Sequence, residues 1–587
     1  MARRTSALVA LTFLFSLVTG PPAGADHTNP RTPLAPTEGS PPLDIITRGV
    51  GTWEFIQNFP ANPGTDLKFF TKGGDIYAST GTLGQADVDH VGQRMIRLTV
   101  GSEVAPEWVA DHGSAHCLTE NPGGTLGLQH DAAVTGYSNP QLLIDTTDAT
   151  GRCHDGAGGG LELIDISLLA NPSFEPREVH LIRHAGFSHT VTVDATRPWI
   201  VYNSSSDFAG RPWIDVLDIR SCLTVGTSDL AKKREGCRPL VYRIRFQDHW
   251  TQALDVHFDN LNPGSAACHD ITARPGRIYC AALNATLILD VSNLTDARGN
   301  VRGTRLPCTI TDGEATGAKV TDCTRPSLGS PSAQGWIFLG TYNHPGRDCV
   351  FPHPEGQPNT NCNSNNFVRS DEGVSVSHEA DPDETGNFMF VTDERGGGVV
   401  PPGSSCEPGL DNPYGNGGAH AFDISDPSNI HYALQPDGSR AIYISDAVIP
   451  APSFCDIHVM ELTPGEQRFV TAYYTQGTKV VDYHIDENGR WTFEEVASFT
   501  PIGVNANTWT ADVFKTEREG DTVTYFFMAS DIQRGIDIFS WTGPAGPQIG
   551  TISAAASGVS AADVGLGAVG LVLLPAAALF GRRRLRR

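Results

Sequence analysis

Long helical periods are what this chain of 587 residues lacks most. Between its two ends no extended stretch repeats apolar residues at the 3.6-residue spacing of a helix, which excludes a helical bundle or a helical solenoid. Positive charge is scarce too: 42 Lys and Arg stand against 66 Asp and Glu. Setting aside Arg3, Arg4 and the five arginines after Gly581 leaves 35 basic residues and a net charge of about −31. A surface of that sign repels phosphate backbones, so nucleic acid is excluded as a partner. The chain holds no G-x-S-x-G, no H-E-x-x-H, no C-x-x-C-H and no C-x-x-C. Simple serine hydrolase, zincin, c-type haem and zinc-ribbon chemistry therefore lose their usual sequence support.

What is present is punctuation. Gly (62) and Pro (40), with Asn and Asp, interrupt the chain every few residues and leave short alternating runs between them, the pattern of an all-β protein. Those runs repeat. A closing strand with an apolar-Asp-apolar triplet recurs as GLELIDIS (160–167), WIDVLDI (213–219), TLILDVS (286–292), AHAFDIS (419–425), KVVDYHI (479–485) and GIDIFSW (535–541), with RMIRLTV (94–100) as a degenerate first copy. Opening strands begin at His130, His189, His269, His378 and His458, with Trp509 and Asp66 at the same place in the last and first copies. Middle strands such as PWIVYNS (198–204), RIYCAAL (277–283) and NFMFVTD (387–393) lie between them. Fourth strands follow several copies, at 176–183, 240–246 and 491–501.

Seven copies of four antiparallel strands predict a seven-bladed β-propeller over 51–542. The last copy runs out without a fourth strand, whereas WEFIQNFP (53–60) resembles the fourth strand at 491–501. It is therefore expected to complete the seventh blade and close the seam.

The sequence His-x-apolar-x-apolar, then apolar-Tyr-apolar, then LILDVS (287–292) or LELIDIS (161–167) resembles the LVIVD-repeat proteins, exported propellers of bacteria and archaea. The resemblance covers roughly residues 50–542 and is weakest in the first and last units. It implies a propeller at the cell surface, and it brings no catalytic residues with it.

The ends agree with export. Residues 1–25 combine Arg3 and Arg4, an apolar run and Ala23-Gly24-Ala25, as a signal peptide does, and a linker follows over 26–50. A second linker spans 543–563. Residues 564–587 form a short apolar span ending in RRRLRR, which reads as a C-terminal membrane segment or a sorting tail, with the bulk of the chain outside. Twelve cysteines in an exported chain point to disulfides, and Cys222/Cys237, Cys308/Cys323 and Cys349/Cys362 are close pairs expected to staple inserted loops.

Innermost strands of a propeller ring the central channel, so His130, His189, His269, His378 and His458 are expected to converge on the axis. Two readings stand. A repeat that duplicates also duplicates its packing residues, and a structural histidine would recur just as faithfully. Alternatively the imidazoles hold Fe, Cu, Mn or Zn in the channel. The acidic neighbours Asp131, Asp270 and Glu379 point to the other strand face and are expected to bond a turn or the next blade.

Other candidates are weaker. His112 and His116 flank Gly113 and Ser114, which argue against a helix and read as loop polarity. Acidic turns at 381–386 and 486–489 are either solvated β-turns or sites for Ca²⁺. Glycine-rich stretches at 154–160 and 394–398 lack the strand-to-helix context of a phosphate cradle and read as blade connections. Two functions follow: a binding module at the cell surface for a protein, a glycan or a small ligand, or a metal-dependent enzyme built on the histidine ring.

Overall fold

The computed structural model describes residues 44–549 except 60–63, 83–91, 114–130, 148–159, 184–186, 207–211, 224–228, 247–267, 284, 314–316, 324–331, 345–372, 375, 395–416, 446–447, 449–454, 503–506 and 533. The signal sequence, the C-terminal span, His130, His116, the 154–159 glycines and the Cys349/Cys362 pair lie outside the described residues. Among those described, no helix is long and apolar enough to cross a membrane.

Strands occupy seven separate sheets, each built on an antiparallel run of at least four, and together they form a seven-bladed propeller. The innermost strands, in blade order, are Gly64–Lys72, Ala132–Val134, Phe187–Val193, Asp270–Arg274, Ser377–Pro382, Met460–Leu462 and Thr508–Glu519. Each begins within two residues of one of the expected opening residues. Period-2 alternation explains why the strands read as almost continuous apolar runs, since both faces of a blade are covered. In Arg277–Ala282, Ile278, Cys280 and Ala282 pack toward blade 3, while Tyr279 and Ala281 pack toward blade 5.

The core is accordingly not one mass. Seven clusters of buried residues lie one between each pair of neighbouring blades, and the seventh joins blade 7 to blade 1 through Met528, Ile536 and Ile538 against Leu67, Ala78 and Ile96. A lone blade would leave both oily faces wet. Seven in a ring leave none.

The seam closes as the sequence predicts. Thr52–Phe59 pairs antiparallel with Gly535–Pro544, from Thr52 opposite Thr542 to Phe59 opposite Ile536, and supplies the fourth strand of blade 7. The propeller also starts earlier than the expected residue 51. Asp44–Gly49 is a strand that extends blade 6 by pairing with Trp491–Ile502, so the N-terminal segment ties blades 6 and 7 together. Gly49 and Gly51 make the crossing possible: both have positive φ, and a Cβ would meet Val496 O at 2.0 Å or Thr542 O at 2.4 Å.

Blade 2 carries a further departure from four strands. The hairpin of Cys308–Asp312 and Lys319–Cys323 is inserted in blade 4, yet it passes blade 3 and docks parallel to the blade 2 strand Arg177–Arg183, with His180 Nε2 2.6 Å from Thr321 Oγ1. The short helix Leu230–Gly236 of blade 3 reaches the same blade, where Lys233 Nζ donates to Asp165 Oδ2 at 2.6 Å. Disulfides Cys222–Cys237 and Cys308–Cys323 close these two insertions as expected. A third disulfide, Cys268–Cys280, ties the start of the inner strand of blade 4 to its second strand, and spacing alone gave no sign of it.

Candidate functional site in the axial channel

The channel is lined in two tiers. The first is aromatic. Ring centroids of His189 and His269 are 4.0 Å apart, those of His269 and His378 4.4 Å, those of His378 and His458 4.2 Å, and those of His458 and Trp509 4.4 Å. The indole Nε1 of Trp509 then donates to Asp66 Oδ1 at 3.0 Å. Six of the seven equivalent positions thus run side by side around the axis, and all but Asp66 are buried. The seventh, His130, lies outside the described residues.

Backbone irregularity aims these side chains. Register shifts fall at 64/67, 188/191, 377/380 and 508/510, which places Asp66, His189, His378 and Trp509 each within a bulge of its inner strand. A bulge takes a residue out of the ladder and turns its side chain, here toward the axis. The backbone beside the ring is stitched to the previous blade in a repeated way. Thr146 Oγ1 donates to His189 O at 2.9 Å, Thr190 Oγ1 to His269 O at 2.8 Å, Thr392 Oγ1 to His458 O at 3.0 Å, and Ser530 Oγ to Thr65 O at 2.6 Å. The imidazoles lie ring against ring, and that of His458 also hydrogen-bonds the Trp509 backbone of the next blade.

One carboxylate joins the aromatic tier. Glu394 follows the second strand of blade 5, Phe388–Asp393. Asp393 pins that turn by accepting from Val376 N at 2.7 Å and Gly417 N at 2.8 Å, and Glu394 N donates to Val376 O at 3.2 Å. Its fully buried carboxylate lies with Oε2 3.7 Å from His378 Nε2 and Oε1 3.8 Å from His458 Nε2. The hydroxyl of Tyr474 donates a short hydrogen bond to Oε1. Burial pushes the Glu394 carboxyl up to about 8, against the opposing Tyr474 bond. Burial holds His458 down, at about 3, so its ring is neutral at physiological pH. Tyr474 has φ +39°, a left-handed conformation that costs a tyrosine about 1 kcal/mol or more.

The second tier is acidic. A cavity of about 840 Å³ is lined by nine carboxyl groups, those of Asp66, Asp131, Asp270, Glu379, Asp381, Asp383, Glu384, Glu461 and Asp512, and only Lys68, Arg274 and Arg277 bring positive charge to it. Burial, followed by like charges across the channel, pushes Asp131 and Asp270 up to about 7. Desolvation also raises half-buried Asp66 to about 7 and half-buried Asp512 well above the usual carboxylate range, while Glu461 stands exposed at the cavity wall. Asp381 reaches only about 6, because Arg274 Nη2 donates to its Oδ1 at 2.6 Å. Glu379 is likewise raised by burial and by Asp270.

Two of the three acidic neighbours of the histidines bond the next blade as expected, whereas Asp270 Oδ1 accepts from the adjacent Ile271 N at 2.6 Å. Asp131 Oδ2 accepts from Val191 N of the next blade at 2.8 Å, and Glu379 Oε2 from Met460 N at 2.6 Å. Two other expectations change. His112 is not loop polarity: it is buried in the strand Glu103–Gly113, 3.5 Å from Glu162 and 3.9 Å from Glu178, because the fourth strand of blade 1 runs on into blade 2. Asp381 is not part of a solvated turn but a cavity residue, while Asp383 does cap that turn, accepting from Phe388 N at 3.1 Å. The turn at 486–489 is a plain one, with Asp486 Oδ1 accepting from Asn488 N at 2.8 Å and Arg490 N at 2.9 Å.

Glu394, Tyr474, Glu461 and Asp512 were not among the residues singled out as ligands. For two of them a signal existed: Asp381, Glu461 and Asp512 each stand three places after the opening His or Trp of consecutive blades.

No family model matches the chain, and no curated protein matches it. Among solved structures it is similar to the Myceliophteria thermophila Cps50 (Swd1) β-propeller domain, at 9% identity and a TM-score of 0.38 over 83% of this chain and 99% of that one. It is also similar to a chain of the Chaetomium thermophilum heterotrimeric Nup82 NTD–Nup159 TAIL–Nup145N APD complex, at 10% identity and a TM-score of 0.35 over 81% and 95%.

Proposed function

We propose that the protein is an exported binding propeller of the LVIVD-repeat kind, held at the cell surface by its C-terminal segment, whose channel cavity takes a small organic cation such as a polyamine. The observation that carries this reading is the charge of the cavity: nine carboxyls surround about 840 Å³, a volume suited to a small ligand, and three basic side chains accompany them. Crowded, desolvated carboxyls hold their protons, and a polyamine in their midst offers the counter-charge that lets them ionise. The three disulfides among the described residues fit an oxidising compartment and so favour export.

The pH dependence has a definite sign. Asp66, Asp131 and Asp381 keep their protons to about 7, 7 and 6 when folded, against an ordinary value of 3.8. Between about pH 4 and pH 7 the folded state therefore binds more protons than the unfolded state, and these groups withdraw stability as pH rises through that window. Buried His458 and His180, both held near 3, act oppositely and withdraw stability as pH falls below 6.5. With the carboxyls more numerous, Tm is expected to fall between pH 6 and pH 8. Spermidine should restore it at pH 8 and do little at pH 5.

Isothermal titration with spermidine at low salt is the direct test. Binding should weaken with added salt, and Asp512→Asn with Glu461→Gln should weaken it about tenfold or more, each lost charge contact being worth about 1 kcal/mol. A protein indifferent to spermidine at pH 8, in both heat and Tm, rules the reading out. Calcium chloride and neutral oligosaccharides run alongside would show a preference for another ligand class, which also counts against it.

A further inference from the structure

We propose that His269, His378 and Glu394 form a centre for one divalent first-row transition metal on the propeller axis. This goes beyond the cavity reading and stands without it, since none of the three residues lines the acidic cavity.

The geometry comes first. One ligand atom from each residue lies within 4.8 Å of the other two. Metal bonds of about 2.0–2.2 Å place neighbouring donors roughly 3–4 Å apart, so a contraction of a few tenths of an ångström to about an ångström brings all three onto a common ion. The residues are buried to 6%, 2% and 0% relative exposure, in a wall of rings that excludes bulk water.

The second observation is the state of Glu394. The Tyr474 hydroxyl engages Oε1 only, and the other oxygen, Oε2, is buried without a hydrogen bond and lies 3.7 Å from His378 Nε2. An oxygen left so in a protein interior is destabilising, and a bound cation would recover the loss. Tyr474 thus acts as a positioning residue: its strained backbone and its hydroxyl turn one carboxylate oxygen away and present the other to the imidazoles. Elements of three successive blades meet here: blade 4 gives His269, blade 5 gives His378 and Glu394, and blade 6 gives Tyr474.

Chemistry narrows the ion. Two imidazoles and one carboxylate suit Zn²⁺, Fe²⁺ or Cu²⁺, whereas Mg²⁺ and Ca²⁺ want a shell of oxygens. Three protein donors leave positions open on the ion, the arrangement of sites where a metal binds an exogenous ligand rather than serving as a structural cross-link. A ring of five equivalent histidines is not needed: His189 and His458 flank the set, their ring centroids 4.0 Å from His269 and 4.2 Å from His378.

The full chain, made without a polyhistidine tag and stripped with chelator, should take up about one equivalent of Zn²⁺ or Co²⁺ per chain in equilibrium dialysis, and none of Mg²⁺. The Co²⁺ form should show ligand-field bands in the visible. Glu394→Gln, nearly isosteric, should weaken uptake about tenfold or more, and His269→Ala with His378→Ala should remove it. Circular dichroism and Tm identify a variant that fails to fold. Should the double variant fail, Glu394→Gln and Tyr474→Phe decide the matter: the latter should keep the metal and shift the Co²⁺ spectrum. Absence of stoichiometric metal in the wild-type chain, or uptake unchanged by Glu394→Gln, overturns the proposal.

Discussion

A chain begun at residue 60 is expected to lose its monomeric fold, although every inner strand would remain. The deletion removes Thr52–Phe59 and Asp44–Gly49, and with them the outer edges of blades 7 and 6. Trp53 alone sits 5.6 to 6.2 Å, centroid to centroid, from Phe499, Phe527, Phe539 and Trp541, so it packs against rings of both blades. Truncating such a side chain costs about 3 kcal/mol or more. The ladder from Thr52 to Phe59 goes too, together with the bond from Trp541 Nε1 to Val50 O at 2.9 Å. What remains is a ten-residue apolar strand, Gly535–Pro544, with an unpaired edge, a template for aggregation. Size-exclusion chromatography should show the truncated chain as aggregate, and a peptide of residues 44–59 added during refolding should recover monomer. A truncated chain that stays monomeric with an unchanged Tm would show that the seam does not depend on this segment.

The second large effect is expected inside blade 3. Arg243 and Asp215 are paired across adjacent strands, Nε to Oδ1 at 2.6 Å and Nη2 to Oδ2 at 3.2 Å, and both are buried. The guanidinium lies 3.9 Å from the centroid of the Trp213 ring. Arg243→Met keeps the bulk and takes away the charge, leaving a desolvated carboxylate without its cation, at a cost of about 3–5 kcal/mol. Arg243→Met with Asp215→Leu should recover most of that loss, because the desolvation penalty disappears with the second charge. Denaturant midpoints of the three variants separate the cases. Equal losses in the single and double variants would mean that the site needs the polar pair for another reason.

Blade count, strand order and seam were legible in the sequence because each rests on local periodicity. Strands alternate at period 2, turns carry Gly and Asp, and a duplicated unit advertises its own register, so His189, His269, His378, His458, Trp509 and Asp66 could be placed at one structural position before any coordinates. The same logic located Thr52–Phe59 through its likeness to 491–501. What could not be read was contact across blades. The parallel docking of Lys319–Cys323 on blade 2 joins segments more than a hundred residues apart and follows no repeat. Glu394 looked like the start of a glycine-rich connection, and only the fold shows that Asp393 turns it into the channel. The bulges that aim His189 and His378 insert one residue into a pattern whose period conceals it. The acidic tier is half visible in the sequence: Asp131, Asp270 and Glu379 follow opening histidines, but the like-charge crowding that raises them exists only when the blades close.

That the axis is the working part of this propeller is tested most directly by anomalous diffraction from crystals soaked in Zn²⁺, with data collected on both sides of the zinc absorption edge. The account predicts a single strong anomalous peak in the channel, bonded to His269, His378 and Glu394, within a closed ring of seven blades. Peaks only at surface carboxylates, with the three side chains turned away from one another, would contradict it.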